Sequence, residues 1–454
     1  MNVTISPSSV KGTIQAPASK SSMQRACAAA LLMNGKSIIK NPGFSNDDKA
    51  AMDVIQKLGA KIVIENGELK VYSDGVNPDK LEINTGESGL GVRMFTPVAA
   101  LSEKEILISG HGSLMERPMG FFDEILPKLG VKIESNNGKL PMKIQGPLKP
   151  ATIEIDGSLS SQFLTGLLMA FSVAPPKSLS AEQAGSPKGR TYGHADNSSV
   201  IIKVKNLKSK PYVDLTLDVM KQFGMLVPEN KNYEEFIFHY DSLIPPLGGV
   251  GAYTVEGDWS GGAFLLVAAA VAGDVTVNGL QNTSAQADKK IIDALLDAGA
   301  DVTVNDDSIH IKKNKLEAFS FDATDCPDLF PPLVALAVNC KGITKIRGLK
   351  RLKHKESDRG ITLKEEFDKL STQIDLNDDE MLVHGNGGVF VKNHTLNSHN
   401  DHRIAMAVAV ACLNADFDVE IRNAEAVNKS YPEFYNHLEK LGVKLIQPTP
   451  VTNH

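Results

Sequence analysis

A lysine and an arginine lie at the start of an alanine-rich segment near the N-terminus. The segment is PASKSSMQRACAAALL, residues 17 to 32. Lys20 lies among small and hydroxyl residues at its start, and an apolar run that also contains Arg25 follows directly. A helix that begins there has several backbone N–H groups without a partner inside the helix, and its dipole places positive charge at the same end. Together with the two side-chain cations, this arrangement favours the binding of an anion.

The same construction recurs in five later segments. Each has a polar or glycine-rich start and then a stretch that is apolar almost all round: ESGLGVRMFTPVAAL from Glu87, GSLSSQFLTGLLMAF from Gly157, GDWSGGAFLLVAAAVA from Gly257, CPDLFPPLVALAV from Cys326 and NDHRIAMAVAVA from Asn400. A helix without a polar face has to be buried on every side. An ordinary helix cap would explain the polar start of any one of these segments, so six ordinary core helices are the simpler alternative. They do not explain why the starts also carry Arg93, Gln162, Asp328, His402 and Arg403.

Composition limits the class of protein. The chain has 454 residues, of which 42% are hydrophobic, so it is long enough for two domains with good cores. Its formal net charge of −6 argues against a general nucleic-acid or membrane-surface protein, so a cationic site has to be local. No apolar stretch reaches spanning length, the start of the chain lacks signal-peptide features, and the four cysteines lack metal-ligand or disulfide spacing. We expect a cytoplasmic protein.

A repeat organises the chain. Six times an amphipathic segment ends near a glycine, and a strand, a turn and a strand follow; the glycines are Gly59, Gly130, Gly224, Gly299 and Gly442, with Ser371 in the remaining copy. Each copy is therefore predicted to contain a buried helix, a surface helix and a small mixed sheet. The stretch from Ser172 to Ser199, rich in Pro, Ser, Gly and Lys, is predicted to be a surface insertion.

Six copies divide into two sets of three. The glycine-rich stretch from Pro245 to Gly251 is the expected crossover, and the strand-like residues 1–16 could pair with the last copies. The predicted domains are 17–254 and 1–16 together with 255–454. Their positively charged helix ends are expected to face a cleft that holds the active site.

Several motifs resemble those of the 5-enolpyruvylshikimate-3-phosphate (EPSP) synthases, a branch of the enolpyruvyl transferase family. Besides PASKSSMQR they are LMERPMG from Leu114, DGSLSSQFLTGLLM from Asp156, KSKPYVDLTLDVMKQFG from Lys208, KESDR from Lys355 and NDHRIAM from Asn400. The resemblance runs in family order from about residue 10 to residue 445. It implies an inside-out α/β barrel fold with two similar domains, each made of three βαβαββ units around buried helices.

The resemblance implies transfer of the enolpyruvyl group of phosphoenolpyruvate to the 5-hydroxyl of shikimate 3-phosphate, in the biosynthesis of chorismate and aromatic amino acids. The expected proton-transfer residues are Lys20, Asp328, Glu356 and His402. Shikimate 3-phosphate is expected to contact Lys20, Ser21, Arg25, Ser160, Ser161, Gln162, Ser209, Tyr212, Asp328 and Lys355. Phosphoenolpyruvate is expected to contact Lys20, Gly89, Arg117, Gln162, Arg359, Arg403 and Lys429.

Arginine and lysine suit the phosphates and carboxylates of these substrates and supply the electrostatic stabilisation that a metal would give. We therefore expect no metal and no cofactor, small-molecule substrates rather than nucleic acid or membrane, and a monomer. One departure from the family pattern lies near the expected phosphoenolpyruvate site, where Glu87 and Leu90 replace an asparagine and a threonine. The Glu87 carboxylate should either point away or pair with a cation.

Two other functions are compatible with the same fold. A related transferase that uses UDP-N-acetylglucosamine normally presents a reactive cysteine in the loop before Arg-Pro, and HGSLMERPMG from His111 has none. A non-catalytic, anion-binding member of the fold would be expected to lack Lys20, Asp328 or Glu356, and all three are present. The spacing of His394, His399 and His402 matches no helical metal site.

Overall fold

A computed structural model describes residues 1–174, 199–240, 251–353 and 355–446. Six four-stranded sheets contain all the strands of these residues. The helices are α1 (Lys20–Leu32), α2 (Asn46–Lys57), α3 (Gly89–Ala99), α4 (Gly120–Ile125), α5 (Ser161–Phe171), α6 (Lys210–Gln222), α7 (Trp259–Ala272), α8 (Ile291–Asp297), α9 (Phe330–Ala337), α10 (Arg359–Asp368), α11 (His402–Ala411) and α12 (Phe434–Lys440).

The strands are short. In chain order they are β1 (Asn2–Ile5), β2 (Val10–Gln15), β3 (Gly35–Lys40), β4 (Lys61–Glu65), β5 (Glu68–Ser73), β6 (Glu82–Asn84), β7 (Glu105–Ser109), β8 (Lys132–Ser135), β9 (Met142–Gln145), β10 (Ile153–Asp156), β11 (Ser199–Lys205), β12 (Glu229–Lys231), β13 (Glu235–His239), β14 (Ala252–Thr254), β15 (Gly273–Asn278), β16 (Asp301–Val304), β17 (Ser308–Lys312), β18 (Ser320–Asp322), β19 (Lys341–Arg347), β20 (Ile374–Asn377), β21 (Glu380–Asn386), β22 (Thr395–Asn397), β23 (Val419–Arg422) and β24 (Leu445–Ile446).

Three sheets show the repeat in its simplest form. The segment β6-α3-β7-α4-β8-β9 forms a sheet of order β6-β7-β9-β8, in which the first pair is parallel and the others are antiparallel. The sheets of order β10-β11-β13-β12 and β18-β19-β21-β20 follow the same rule. A parallel pair needs a crossover connection, and a buried helix supplies it each time.

The remaining sheets exchange strands over long distances. β2, which leads into α1, pairs in parallel with β15, whereas β14, which leads into α7, pairs in parallel with β3. β1 lies between β23 and β24 in the last sheet. The N-terminal residues therefore complete the fourth and the sixth copies, while the first copy receives its first strand from β14.

The chain forms two compact units. The unit that we call the terminal unit comprises Met1–Lys20, Gly43–Asn46 and Glu256–His454, and the central unit comprises Ser21–Pro42 and Asp47–Val255. The domain boundaries predicted from the sequence stay a prediction.

The six apolar segments form the buried helices α1, α3, α5, α7, α9 and α11, as expected. All fourteen residues of α7 are buried, and α7, α9 and α11 contact one another in the core of the terminal unit. In the central unit α3 packs on α5, and Ser88 at the start of α3 donates a 2.9 Å hydrogen bond to Gln24 of α1. The buried helices thus bring their polar first turns to defined places in each core.

The repeated turn residues adopt the backbone conformation that their types favour. The five repeat glycines all have positive φ, and Ser371, their counterpart in the fifth copy, has φ 53°. Most of the predicted insertion (172–199) and of the predicted crossover (245–251) lies outside the described residues, at 175–198 and 241–250. Among the helices of the described ranges, none is long and apolar enough to span a membrane.

Candidate active site

Arg359 joins three carboxylates in the terminal unit. It is the first residue of α10, and its side chain is 1% exposed. Its Nε donates to Asp401 Oδ2 at 2.8 Å and its Nη2 to Asp401 Oδ1 at 3.2 Å. The guanidinium also donates to Asp328 Oδ1 at 2.8 Å and to Glu356 Oε2 at 2.5 Å. A planar fork with five donors suits this task, because it holds both oxygens of Asp401 and still reaches two other carboxylates.

Helix starts place these carboxylates. Asp401 is the N-cap of α11 and accepts a hydrogen bond from the backbone N–H of Arg403 at 3.0 Å. Asp328 lies in the 3₁₀ turn Pro327–Leu329 that leads into α9. Negative side chains are stabilised at the positive ends of helices, which is why aspartates are favoured at both positions.

Asp328 is the most heavily paired carboxylate of this cluster. Lys355 Nζ lies 3.1 Å from Oδ1, and Arg403 Nη2 lies 3.2 Å from Oδ2, in addition to Arg359. Burial alone would raise the pKa of the Asp328 carboxyl, but Arg403, Lys355 and Arg359 outweigh it and hold the pKa well below its usual value. Asp328 is therefore ionised at neutral pH and can hold the three cations in place.

His402 is a buried and neutral imidazole. It is the first residue of α11 and is 1% exposed, and neither ring nitrogen has a hydrogen-bond partner among the described residues. Burial and then the charge of Lys20 lower the pKa of His402 well below its usual value. A neutral ring can both donate and accept a hydrogen bond, so His402 is suited to assist a proton transfer.

Lys20 and Lys429 also belong to the terminal unit. The backbone N–H of Lys20 lies 3.4 Å from Oδ2 of Asp258, the N-cap of α7. Lys429 ends the 3₁₀ turn Ala424–Lys429 and donates a 2.6 Å hydrogen bond from Nζ to the carbonyl of Asn400. Lys20 thus contacts the N-cap of α7. Lys429 contacts the residue directly before Asp401, which is the N-cap of α11.

The central unit has a separate cationic cluster at the start of α3. Arg93 Nη1 donates to Gln162 Oε1 at 2.8 Å, and Arg117 Nη2 donates to Ser113 Oγ at 3.2 Å. A Cβ added to Gly89 would lie 2.7 Å from Arg117 Nη1 and 3.3 Å from Arg93 Nη1. The glycine thus leaves room for both guanidinium groups beside the start of α3, and a larger residue would have to push these flexible side chains aside. The structure therefore brings Gly89, Arg117 and Gln162 together and adds Arg93.

Arg25 is fixed by neutral oxygen atoms and is almost fully buried. Its Nε donates to Thr216 Oγ1 at 2.9 Å, its Nη1 to the carbonyl of Ser21 at 2.9 Å, and its Nη2 to the carbonyl of Tyr212 at 3.3 Å. Thr216 also contacts Thr165, with 3.1 Å between the hydroxyl oxygens. Ser21, Arg25 and Tyr212, which the sequence assigns to one substrate, are thus close together.

Three serines lie at helix starts in the same unit. Ser160 caps α5, and its hydroxyl accepts from the backbone N–H of Gln162 at 3.2 Å. Ser161 is the buried first residue of α5, and Ser209 directly precedes α6 with φ 56°. Each of these positions lies beside backbone N–H groups that have no acceptor within their helix, as a phosphate-binding site requires.

Glu87 lies against the loop that carries Arg117. A Cβ added to Gly112 would lie 2.5 Å from Glu87 Oε2, so the carboxylate packs on the backbone where the 3₁₀ turn Gly112–Glu116 begins. Gly112 has φ 58°, which also favours glycine. The Glu87 carboxylate therefore lies at the beginning of the turn Gly112–Glu116, and Arg117 is the residue directly after the turn.

Sequence reasoning missed Asp401, Thr216 and Asp288. Asp401 had a signal, because an aspartate before an apolar run is a typical N-cap. Thr216 lies one helical turn after Tyr212, which is a weak signal. Asp288 is fully buried and accepts a hydrogen bond from the hydroxyl of Ser260. Burial and then the charge of Asp328 raise the pKa of Asp288 to about 6.

Comparison with known proteins gives a consistent result. The pattern of the family described as EPSP synthase (3-phosphoshikimate 1-carboxyvinyltransferase) matches residues 5–185 and 194–438. A protein of that name from Clostridium novyi is 36% identical over 451 residues, with 97% of each chain covered. Another from Clostridium acetobutylicum is 34% identical over 445 residues, again with 97% of each chain covered.

Solved structures show the same fold. An EPSP synthase from Acinetobacter baumannii superposes with a TM-score of 0.77 at 22% identity, covering 98% of this chain and all of that one. The enolpyruvyl transferase NikO from Streptomyces tendae superposes with a TM-score of 0.76 at 16% identity, covering 99% of each chain. The inside-out α/β fold with two similar domains, expected from the motifs, is confirmed.

Proposed function

Because the chain belongs to the EPSP synthase (3-phosphoshikimate 1-carboxyvinyltransferase) family, we propose that it transfers the enolpyruvyl group of phosphoenolpyruvate to the 5-hydroxyl of shikimate 3-phosphate. The products are 5-enolpyruvylshikimate 3-phosphate and phosphate. The family predicted from the sequence motifs, and with it a transferase of the shikimate pathway, is confirmed.

This reaction requires two proton movements at carbon and one at oxygen. The methylene carbon of phosphoenolpyruvate takes up a proton and becomes a methyl group, and the 5-hydroxyl oxygen bonds to the neighbouring carbon as it gives its proton to a base. The bond to the phosphate oxygen then breaks, and loss of a proton from the methyl group restores the double bond. The enzyme therefore needs groups that can give and take protons beside a charged environment that stabilises both anions.

The cluster around Arg359 is the observation that carries the proposal. It holds two kinds of group side by side: carboxylates that can take a proton, Glu356 and Asp328, and cations that can bind phosphate or carboxylate, Arg403 and Lys355. We assign proton transfer to Lys20, Asp328 and Glu356, with His402 assisting. The low pKa of Asp328 favours a role as an electrostatic anchor over a role as an acid or a strong base.

Two sets of residues are proposed to bind the substrates. Phosphoenolpyruvate would be held by Lys20, Gly89, Arg117, Gln162, Arg359, Arg403 and Lys429. Shikimate 3-phosphate would be held by Lys20, Ser21, Arg25, Ser160, Ser161, Gln162, Ser209, Tyr212, Asp328 and Lys355. Hydrogen bonds to the Thr216 hydroxyl and the Ser21 carbonyl orient Arg25, and its guanidinium suits the shikimate carboxylate. We further propose that the protein works in the cytoplasm as a monomer.

Phosphate release tests the proposal. The protein is mixed with phosphoenolpyruvate and either shikimate 3-phosphate or UDP-N-acetylglucosamine, and free phosphate is measured over time. Release that depends on shikimate 3-phosphate is expected. Release that depends on the nucleotide sugar would favour the related transferase, and no release with either acceptor would favour a non-catalytic anion-binding member.

A further inference from the structure

A buried glutamate on α10 holds the backbone that leads into α11. Glu366 lies two turns beyond Arg359 and is 1% exposed. Its Oε2 accepts from the backbone N–H of Asn397 at 2.8 Å, and its Oε1 lies 2.7 Å from Nε2 of His399. Lys369 Nζ lies 2.8 Å and 2.9 Å from the two oxygens. A single carboxylate thus fixes both a main-chain and a side-chain group of one segment.

That segment has an unfavourable backbone conformation. His399 and Asn400 follow each other with φ 52° and 56°, in the left-handed region that residues other than glycine rarely adopt. Such a conformation persists only where surrounding contacts determine it. Besides Glu366, the Ser398 hydroxyl contributes, because it accepts from the Asn400 N–H at 3.2 Å and donates to the Asn423 carbonyl at 2.8 Å.

The strained turn is connected directly to the proposed phosphoenolpyruvate residues. The carbonyl of Asn400, which the turn orients, accepts the 2.6 Å hydrogen bond from Lys429 Nζ. The next residue, Asp401, binds Arg359 and caps the helix turn that carries Arg403. A shift of this turn would therefore move Lys429 and Arg403 without any change in their own side chains.

We propose that Glu366 and His399 are positioning residues for phosphoenolpyruvate binding. Glu366 holds the turn 397–400 through the Asn397 N–H and the His399 ring, and the turn sets the place of Lys429 and Arg403. The inference rests on the proposed function, since it takes Lys429 and Arg403 to be phosphoenolpyruvate ligands. Neither Glu366 nor His399 has to touch a substrate.

Replacement of the partly exposed His399 tests the inference with little risk to folding. His399→Ala removes the ring that contacts Glu366 but leaves the buried carboxylate bound to Lys369 and to the backbone. We expect KM for phosphoenolpyruvate to rise about tenfold, the size usual for the loss of one charge-assisted hydrogen bond. KM for shikimate 3-phosphate should change less than about twofold and kcat should fall only slightly, because Arg25 and Glu356 are not affected.

Two further variants separate positioning from general damage. His399→Gln keeps an N–H donor that can reach Glu366 and should restore most of the lost affinity. His384→Ala is the matched control: its ring lies 2.8 Å from Asp375 and its side chain is 30% exposed, against 37% for His399. It lies on β21 in the same unit and should leave both KM values unchanged.

A double-mutant cycle completes the test. In a Glu366→Gln background, His399→Ala should have a much smaller effect than in the wild-type protein, since the interaction is already weakened. The inference is overturned if His399→Ala behaves like His384→Ala, if it raises both KM values equally, or if His399→Gln is no better than His399→Ala. Absence of phosphate release by the wild-type protein would instead refute the proposed function.

Discussion

The two cationic clusters hold their arginines in different ways. In the terminal unit Arg359, Arg403 and Lys355 are matched by Asp328, Asp401 and Glu356, three cations for three carboxylates. In the central unit three hydrogen bonds of Arg25 go to a hydroxyl and two carbonyls, one of Arg93 goes to an amide oxygen, and one of Arg117 goes to a hydroxyl. The contacts named for the first cluster join opposite charges, whereas the hydrogen bonds named for the second join arginines to uncharged acceptors.

This difference indicates a division of work. A hydrogen bond to a neutral oxygen orients an arginine without neutralising its charge, so these contacts suit the central cluster to binding an anion. A compensated cluster with several carboxylates can redistribute protons, so the terminal cluster is suited to chemistry. Four predictions test this comparison.

Removal of Arg359 should have the largest effect. Arg359→Met leaves three carboxylates without their shared partner, and breaking a buried ion pair by removing one side typically costs about 3–5 kcal/mol of stability. We expect a loss of that size in urea unfolding, together with loss of activity. Arg25→Met in the central cluster should cost about 1–2 kcal/mol, because the hydrogen bonds that it removes to Thr216, Ser21 and Tyr212 have neutral acceptors. Equal losses would contradict the comparison.

Glu356→Gln should reduce turnover strongly with little effect on binding. Glutamine keeps the shape of the side chain and can still accept a hydrogen bond from Arg359, but it cannot take or give a proton in the same way. Turnover should fall by about 10² to 10⁴, the range usual for the loss of a general acid or base. Calorimetry should show nearly unchanged dissociation constants. If phosphoenolpyruvate binding weakens as much as turnover falls, Glu356 only orients Arg359.

Arg25→Ala should weaken substrate binding more than turnover, the opposite of the effect expected for Glu356→Gln. The carboxylate that Arg25 is proposed to bind does not change in the reaction, so its loss should raise KM for shikimate 3-phosphate by roughly 10- to 100-fold while kcat falls less. Steady-state kinetics with varied shikimate 3-phosphate measures both values. Equal losses of kcat and kcat/KM would refute the assignment of Arg25 to binding.

The smallest of the four expected effects is a dependence of the stability gain of Asp288→Asn on pH. Its pKa is about 6 in the folded protein against an ordinary value of 3.8, so the folded state binds this proton more readily than the unfolded chain. The carboxyl therefore destabilises the fold increasingly as the pH rises from about 4 through 6. Asp288→Asn should raise the free energy of unfolding by about 1–2 kcal/mol at pH 7.5, less than the full linkage because the amide is a weaker acceptor for Ser260.

Urea unfolding of the wild-type protein and the Asp288→Asn variant at pH 4.5 and pH 7.5 measures this effect. The stabilisation should shrink at the lower pH. A gain that does not depend on pH would assign it to packing rather than to the charge.

The repeat could be predicted from sequence because its signals are local. Asn66 and Gly67, like Asn137 and Gly138, are hairpin residues that tolerate positive φ, and they have it in the structure. The sequence did not predict that β2 pairs with β15 or that β14 pairs with β3. A parallel pairing between residues as far apart as 10–15 and 273–278 leaves no local pattern in the sequence.

The candidate site shows the same limit. Lys20, Glu356 and His402 stand in motifs that can be read from the chain, and so do most of their neighbours. The bond from Arg25 to Thr216 joins residues 191 positions apart, and no spacing or composition indicates it. Asp401 could be identified as a helix cap, but its pairing with Arg359 depends on how α10 and α11 pack.

Exchange of solvent deuterium into the methylene group tests the division of work most directly. The methyl group formed during the reaction carries one solvent hydron and loses one, so in D₂O the vinyl proton signals of phosphoenolpyruvate and product should weaken in NMR spectra. With both substrates saturating, Glu356→Gln should slow this exchange by the same factor as turnover, about 10² to 10⁴, whereas Arg25→Ala should keep it within about threefold of wild type, the modest loss left when a purely binding contact is removed. Exchange at the wild-type rate in Glu356→Gln, or an equally large loss in Arg25→Ala, would contradict the account.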